Sequence, residues 1–416
     1  MAYPRVNMQL RSKYLMPTLL LLVILPMIST DIYLPAMSSI GIQFGVVESN
    51  LTNTLTSYMF GYSVSLLFSG VLADIYGRRF ISIVGLAIFF ASSVGCFLAS
   101  SVEGLMLWRF FQALGGGCGT LIARIIVRDI YDQQSQVRVL SYLSTGLVFS
   151  PIIGPILGAY VSSYFGWRSI FFVLACFSVF GLILLCVFMK ESLVRHEPKK
   201  IFQFSSVLSE YFGIWRNREF VFNTLVISFA WAVYFTFLSS SPVLIQGVDQ
   251  VGPIEYGYIF STTISGFILG TIFIRWKIAT INLKGLIAFA GFIIFIATLM
   301  LCITVLTGIE SQNTKLFFVF CALFGVGIIF PATQAGVTKP FKNNIGLISG
   351  VFYSTEMFFG AICGFILSYL GGVTWGSAAL MMLISATCIV LISSLDRLCS
   401  QDDRRIRFSA LLKQKS

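Results

Sequence analysis

The chain has 416 residues, of which 57% are hydrophobic and only 11% are charged, and its mean hydropathy is +0.88. Soluble domains usually carry about 25% charged residues, so this composition excludes water as the main solvent. The net charge of +11 would favour nucleic acid in a soluble protein, but in a membrane protein the position of the charges matters more. A lone histidine, His196, and nine cysteines without a Cys-x-x-Cys pair argue against a metal site, a disulfide framework or a cofactor.

Twelve apolar runs follow one another along the chain, and each is close to the roughly 20 residues that cross a bilayer as a helix. The first run contains Ser29, Thr30 and Asp31, which makes it too polar for a cleaved signal peptide, so we treat it as the first span. The twelve predicted spans lie near residues 15–38, 53–73, 80–100, 104–127, 139–162, 168–189, 219–245, 256–275, 284–306, 315–337, 345–370 and 375–395.

Basic residues predict the orientation, because Lys and Arg accumulate in the cytoplasmic loops of membrane proteins. If the amino terminus is cytoplasmic, most of the 28 basic residues fall on the inside. Arg109 and Arg124 lie within the fourth span, Arg168 opens the sixth, and Lys315 belongs to an outside loop. Both termini are therefore expected in the cytoplasm.

The longest connection lies between spans six and seven. Its apolar residues from Phe202 to Trp215 recur at near-helical spacing, which predicts an amphipathic helix on the inner membrane surface. Six spans, a linker and six further spans are typical of all-α transporters whose two halves rock about a central binding site. The chain thus divides into an N-terminal six-helix half, a cytoplasmic linker, a C-terminal six-helix half and a basic tail: 1–189, 190–218, 219–395 and 396–416.

A basic turn with two glycines joins spans two and three. Glycines permit close helix approach and tight turns, and the acid and the arginines can pair with neighbouring helix ends and hold an inside gate closed. The alternative is an ordinary basic turn that follows the positive-inside rule. The motif residues of this turn are Gly70, Asp74, Gly77, Arg78 and Arg79. They resemble the signature G-x-x-x-D-[RK]-x-G-[RK]-[RK] of the major facilitator superfamily, with Ile75 in place of the first base.

Span four contains the sequence Leu105-x-x-x-Arg109-x-x-Gln112, which resembles the motif L-x-x-x-R-x-x-Q-G of the same superfamily. An arginine at membrane depth costs several kcal/mol unless it is paired or hydrated. Arg109 is therefore a candidate for proton coupling or for binding substrate charge, and the alternative is a structural tie. The glycine run at 115–119 favours close helix packing over a phosphate loop, because no Gly-Lys-Ser/Thr follows.

Span five resembles the antiporter pattern G-x-x-x-G-P-x-x-G-G, with Ser150 and Ala159 in two glycine positions. Prolines bend the helix, and small residues let another helix pack against the bend. The pattern favours export over import, although an ordinary kinked span is the alternative. Its residues are Gly146, Pro151, Gly154, Pro155 and Gly158.

Residues 31–36 in span one are similar to the D-x-Y-L-P-A signature of the Bcr/CflA drug-resistance branch of this superfamily. The resemblance implies twelve transmembrane helices in two six-helix halves, a bacterial inner-membrane location and a monomer. It weakens after residue 245, where the second gate motif is reduced to 275–277. Further agreeing stretches are Arg124 at the end of span four with Arg128 and Asp129 just after it, which we group with the gate, and 166–171, 237–242, 330–331 and 339–341.

Asp31 in span one and Glu356 in span eleven are the acids at membrane depth. A charged carboxylate is costly there, so each can pick up and release protons as water access alternates. The resemblance implies that Asp31 acts together with Arg109 in proton coupling. No motif covers Glu356, and a hydrated or paired gate residue is its alternative role.

The chain is rich in side chains that form adaptable apolar pockets, with 41 Phe, 12 Met, 16 Tyr and 6 Trp. We expect a proton-coupled antiporter that exports drugs or amphipathic small molecules by alternating access. Alternatives are export of an endogenous metabolite, such as a siderophore or amino acid derivative, and proton-coupled import. An enzyme should show clustered His, Asp or Ser at a membrane face, whereas the single histidine, His196, lies among charged loop residues. The expected cavity residues are Tyr33, Tyr58, Tyr62, Gln112, Trp231, Tyr234 and Phe235.

Overall fold

The structure is a computed structural model that describes residues 14–46, 48–193, 204–277, 282–308, 311–341, 345–369 and 372–415. His196 and the first part of the linker lie outside these ranges. All regular secondary structure within them is helical. The helices are α1 (Leu15–Asp31), α2 (Met37–Phe44), α3 (Glu48–Tyr76), α4 (Arg78–Leu98), α5 (Val102–Ile130), α6 (Gln133–Phe165), α7 (Arg168–Phe188), α8 (Phe204–Ile214), α9 (Arg218–Ser241), α10 (Pro253–Lys277), α11 (Leu283–Leu306), α12 (Gln312–Thr338), α13 (Ile345–Tyr369) and α14 (Trp375–Lys415).

Eleven helical segments among the described residues are long and apolar enough to cross a membrane. Helix α6, with 33 residues, completes the twelve predicted spans. A 3₁₀ turn at Leu34–Ala36 joins α1 to α2 within the first span, and a π-helical turn at Pro242–Val248 extends α9. Helix α14 continues to Lys415, so the basic tail is helical up to that residue.

Most helices extend beyond the predicted apolar runs, because their ends are capped by polar residues that hydropathy leaves out. Ser101, Asp132, Asn217 and Ser311 precede α5, α6, α9 and α12, and each side chain accepts a hydrogen bond from a backbone N–H in the first turn. Such caps satisfy donors that have no partner within the helix. The structure confirms the spans and moves most of their ends outward by a few residues. The exceptions are α14, which continues far beyond its predicted end, and α4, α7 and α13, which end slightly earlier than predicted.

The spans form two bundles, α1–α7 and α9–α14, which meet chiefly along two helix pairs. Helix α3 packs along α13, where the Ser63 hydroxyl donates to the Ser354 carbonyl at 2.8 Å. Helix α6 packs along α10, where the hydroxyls of Tyr160 and Tyr258 lie 3.1 Å apart. These two contacts enclose the space between the bundles.

The span-five glycines let α6 lie directly against the end of α1. A Cβ atom on Gly158 would lie 2.0 Å from the carbonyl oxygen of Ile32, and one on Gly154 would lie 2.6 Å from Cβ of Asp31. Both distances are too short for any side chain, so these positions permit a close helix crossing. The motif therefore places α6 beside the acid of span one.

We expect Gly158→Ala to destabilise the protein, because the added methyl group meets the Ile32 backbone and not a flexible side chain. Overpacking of this kind costs about 1–3 kcal/mol. Thermal unfolding of the purified protein in detergent measures the effect. Gly213→Ala in α8 is the matched control, because no atom lies within 4 Å of its added Cβ. Equal melting temperatures for the two variants would contradict the close crossing.

Linker helix α8 packs against protein on one side. Tyr211 and Ile214 are buried in an apolar cluster with residues of α9, α12 and α13, whereas Phe212 is 68% exposed. The Tyr211 hydroxyl donates to the carbonyl of Leu67 on α3, and burial raises the pKa of Tyr211 to about 12, so this donor keeps its proton. The predicted amphipathic helix therefore contacts both bundles.

Candidate functional site

A central cavity of about 350 Å³ lies between the two bundles. Its charged lining residues are Asp31 and Arg124 from the first bundle and Arg275 and Glu356 from the second. Apolar and aromatic side chains form most of the remaining wall. The other lining residues are Met27, Thr30, Met59, Tyr62, Leu66, Thr120, Leu121, Leu140, Leu147, Pro151, Trp231, Tyr234, Leu238, Phe267, Thr271, Phe330, Pro331, Gln334, Tyr353 and Met357.

Three of the expected cavity residues, Tyr62, Trp231 and Tyr234, line the cavity. The other four residues are also buried, but they do not line the cavity. Tyr33, Tyr58 and Gln112 surround Arg109 inside the first bundle, and Phe235 packs against Gly360 and Gly364 of α13. Residue type alone does not reveal whether an aromatic ring faces a cavity or a neighbouring helix.

Asp31 is the last residue of α1 and is only 3% exposed. The hydroxyl of Ser150 on α6 donates to its Oδ2 atom at 2.7 Å. The sequence showed Ser150 only as a substitute for a motif glycine, yet a glycine there would leave the acid without this donor. No pattern in the sequence marks Ser150, because its contact with Asp31 depends on the close crossing of α1 and α6.

Arg109 is fully buried in α5. Its Nη1 atom donates to the Ser29 carbonyl at 3.1 Å and to Oε1 of Gln112 at 2.7 Å. The guanidinium lies over the rings of Tyr33 and Tyr58, 4.8 and 4.3 Å from their centroids. In the described ranges its Nε and Nη2 atoms have no hydrogen-bond partner.

Asp31 and Arg109 thus have different partners in this conformation, and no salt bridge joins them within the described residues. They are connected indirectly through the end of α1, because Arg109 bonds the carbonyl of Ser29 two residues before the acid. The Tyr58 hydroxyl also ties this turn, since it donates to the Pro26 carbonyl at 2.6 Å and accepts from Ser29. The side chain of Gln112 continues the network by donating to Ser93 on α4.

Glu356 lies in α13 on the opposite side of the cavity and is fully buried. Neither of its carboxylate oxygens has a hydrogen-bond partner in the part of the chain that the structure describes. The charge of Arg124 acts on it, but the Arg124 guanidinium lies over the ring of Tyr353, 4.5 Å from its centroid. Arg124, which we grouped with the gate, is therefore a cavity residue.

An ionic group, called here the Arg78 cluster, ties four segments of the first bundle together at the end where α1 begins. Arg78 pairs with Asp74 at 2.7 Å and with Asp129 at 3.1 Å. The backbone N–H groups of Arg78 and Arg79 donate to the Glu191 carboxylate at 2.9 and 3.1 Å, which suits the positive end of α4. Sequence reasoning missed Glu191.

The remaining predicted gate residues surround this cluster. Gly77 has φ of +108°, a conformation that side chains rarely adopt, and any Cβ there would meet the Glu191 carboxylate. Gly70 packs closely against Leu121 of α5. The guanidinium of half-buried Arg128 lies within electrostatic reach of Asp129 and of Tyr353 in the other bundle.

A second ionic group, called here the Lys284 cluster, lies at the same end of the C-terminal bundle. Lys284 at the start of α11 pairs with Glu219 of α9 at 2.7 Å and with Asp396 of α14 at 2.9 Å, and Arg218 pairs with Asp396 at 3.2 Å. Like Arg78, Lys284 opens the third span of its half and meets an acid near the end of the sixth. The sequence motif at 275–277 does not take part in these pairs.

Two six-span bundles around a partly charged central cavity are the arrangement of a membrane transporter. Residues 19–365 match the family model of the Major Facilitator Superfamily. The chain belongs to this superfamily.

Curated relatives agree with the resemblance to the drug-resistance branch. The chain is 28% identical over 386 residues to the multidrug resistance protein MdtL of Escherichia coli O157:H7, covering 92% of this chain and 94% of that protein. It is 22% identical over 377 residues to a bicyclomycin resistance protein homolog of Haemophilus influenzae, covering 90% and 93%.

Solved transporters share the fold. A D-xylose–proton symporter superposes with a TM-score of 0.70 at 12% identity, covering 90% of this chain and 96% of that one. A bacterial homolog of the lysosomal transporter Spinster, in an inward-facing and unoccupied conformation, gives a TM-score of 0.68 at 16% identity, covering 94% and 98%. At these identities the similarity supports the fold alone.

Proposed function

We propose that the chain is a proton-coupled antiporter that exports drugs or other amphipathic small molecules across the bacterial inner membrane. The observation that carries the proposal is Asp31, a buried carboxylate in the wall of the central cavity. A carboxylate at membrane depth is a functional group by default, because burying its charge without a role is costly. The names of the relatives, multidrug resistance and bicyclomycin resistance, support drugs as the cargo.

The cavity has the properties of a binding site for amphipathic molecules. It is largely apolar, as small-molecule sites usually are, and its aromatic and Met side chains can adapt to several ligands. Its charged residues come from both bundles. Relative motion of the bundles would therefore change the site and its access to each side of the membrane together, which is the alternating-access mechanism.

The orientation follows from the basic residues, which place both termini in the cytoplasm under the positive-inside rule. The Arg78 and Lys284 clusters then lie at the cytoplasmic end. Each links helices within one bundle, so each keeps its bundle rigid while the two bundles rock as units. The halves 1–189 and 219–395 are the moving bodies of this cycle, and the protein works as a monomer.

In the proposed cycle, Asp31 takes up a proton from the outside and releases it to the cytoplasm while substrate moves outward. A proton force of about 150 mV supplies roughly 3.5 kcal/mol, at about 2.3 kcal/mol per 100 mV. At about 1.4 kcal/mol per tenfold, this supports a gradient of a few hundredfold for a neutral substrate exchanged one to one.

We expect inverted membrane vesicles that contain the protein to accumulate a fluorescent drug when their interior is acidified, and to lose it when nigericin collapses the pH gradient. The reason is that proton exit through Asp31 drives substrate uptake in this geometry. Vesicles without the protein are the control for passive partitioning. Accumulation that persists unchanged after the gradient collapses would contradict proton coupling.

A further inference from the structure

Four aromatic rings in the C-terminal wall of the cavity form a closed group, called here the aromatic cage. Trp231 and Tyr234 of α9 stack with their centroids 4.9 Å apart. Phe267 of α10 lies 5.6 Å from Tyr234 and 5.4 Å from Phe330 of α12. Phe330 lies 6.0 Å from Trp231 and completes the group. All four side chains line the central cavity.

The cage lies beside the unpaired acid of α13. The indole nitrogen of Trp231 would be 2.7 Å from a Cβ atom on Gly360, and Gly360 is four residues, about one helical turn, beyond Glu356. The absence of a side chain at Gly360 is what lets the indole edge reach this helix. Glu356 and the cage therefore border the same part of the cavity.

The aromatic cage and the buried carboxylate of Glu356 together favour a cationic ligand. The faces of aromatic rings attract cations, including quaternary ammonium ions. Because the four rings contact one another, a cation would bind against the side of the group that lines the cavity and not between the rings. A buried carboxylate without a partner is unfavourable until a cation or a proton neutralises it. The charge of Arg124 acts on Glu356, but among the described residues Arg124 gives it no hydrogen bond, and its guanidinium lies over Tyr353. A cationic ligand satisfies the rings and the acid at once.

We propose that the aromatic cage and Glu356 form a subsite for the alkylated or aromatic ammonium group of a substrate, with Glu356 as the counter-ion. The proposal rests on the proposed function and deepens it. From the sequence, both Asp31 and Glu356 are candidates for carrying the proton, whereas here the two acids have different roles. Asp31, in the N-terminal bundle, carries the proton. Glu356, in the C-terminal bundle, binds the charge of the cargo.

The test is a binding measurement without any gradient, on the purified full-length protein in detergent. The two ligands are benzyltrimethylammonium and neopentylbenzene, its neutral isostere with carbon in place of nitrogen. Equilibrium dialysis against protein-free micelles removes the contribution of partitioning. We expect Glu356→Gln to weaken binding of the cation by at least about tenfold and to change binding of the isostere by less than about twofold.

Two further sets of variants make the result specific. Glu103→Gln is the matched control, because Glu103 is an exposed acid at the start of α5. This variant should bind both ligands with the affinity of the wild type. Trp231→Leu keeps an apolar side chain but removes a ring face, so it should reduce the affinity for the cation several-fold more than the affinity for the isostere. Trp231→Phe keeps a ring, so it should keep most of the affinity for the cation. If Glu356→Gln does not elute as a folded protein, the Trp231 pair decides.

The proposal is overturned if Glu356→Gln binds the cation as tightly as the wild type, or if its affinities for the cation and for the isostere fall by the same factor. Parallel weakening would mean that Glu356 supports the shape of the cavity and not the charge of the ligand. Failure of the proposed function is separate, because a protein that binds the cation through Glu356 can still fail to couple its transport to protons.

Discussion

Asp31→Asn is expected to abolish proton-driven accumulation of substrate while leaving downhill exchange in place. The asparagine side chain has nearly the same shape as aspartate, so it fits beside Gly154 and can still accept the hydrogen bond from Ser150. It cannot bind and release a proton. The variant should therefore alternate between its two conformations with substrate bound, but without drawing energy from the gradient.

The variant should lose all of the energy that the proton gradient supplies to substrate accumulation. In inverted vesicles with an acidic interior, the accumulation ratio should fall from up to a few hundredfold to about one. Exchange of labelled for unlabelled substrate, measured without a gradient, should stay within a few-fold of the wild type. Gradient-driven accumulation by Asp31→Asn at the wild-type level would show that another group carries the proton.

Two variants serve as controls for this experiment. Ser150→Ala removes the donor to Asp31 but keeps the acid, so accumulation should persist. Glu255→Gln neutralises an exposed acid at the start of α10, away from the cavity, and should have no effect. Loss of accumulation in Ser150→Ala but not in Glu255→Gln would indicate that coupling needs the position of Asp31 as well as its charge.

The sequence predicted the features that depend on local pattern. Apolar length gave the twelve spans, and the cost of charge in a membrane identified Asp31, Arg109 and Glu356 as special positions. The structure finds all three buried, and two of them line the cavity. Even so, the exact ends of the spans depended on capping residues such as Ser101 and Asn217, which hydropathy does not register.

Pairing across the fold could not be predicted from one sequence. Glu191 lies 113 residues from Arg78 along the chain, and Asp396 lies 112 residues from Lys284, so no spacing rule connects them. The partner of Asp31 was missed for the same reason, because Ser150 reaches it only through the close crossing of α1 and α6. Helix packing decides which polar groups meet, and the pattern along each helix does not contain that information.

Arg109 is the second position at which we expect a large loss, and the pattern of loss should differ from that of Asp31→Asn. Arg109→Gln removes the charge that lies over the rings of Tyr33 and Tyr58 and frees the Ser29 carbonyl. The end of α1 then loses a tie to α5. Both accumulation and downhill exchange should fall by at least about a hundredfold, which corresponds to roughly 2.8 kcal/mol.

Arg109→Lys tests whether charge alone is sufficient. A lysine keeps the positive charge but lacks the flat guanidinium, which lies over the rings of Tyr33 and Tyr58 while one of its nitrogens donates to Ser29 and Gln112. We therefore expect little recovery of exchange over Arg109→Gln. Lys190→Gln, at an exposed base after α7, is the control for loss of a charge as such. Wild-type exchange in Arg109→Lys would mean that Arg109 acts as a simple cation, whereas loss in both variants supports a positioning role in which the shape of the guanidinium holds α1, and with it Asp31, in place.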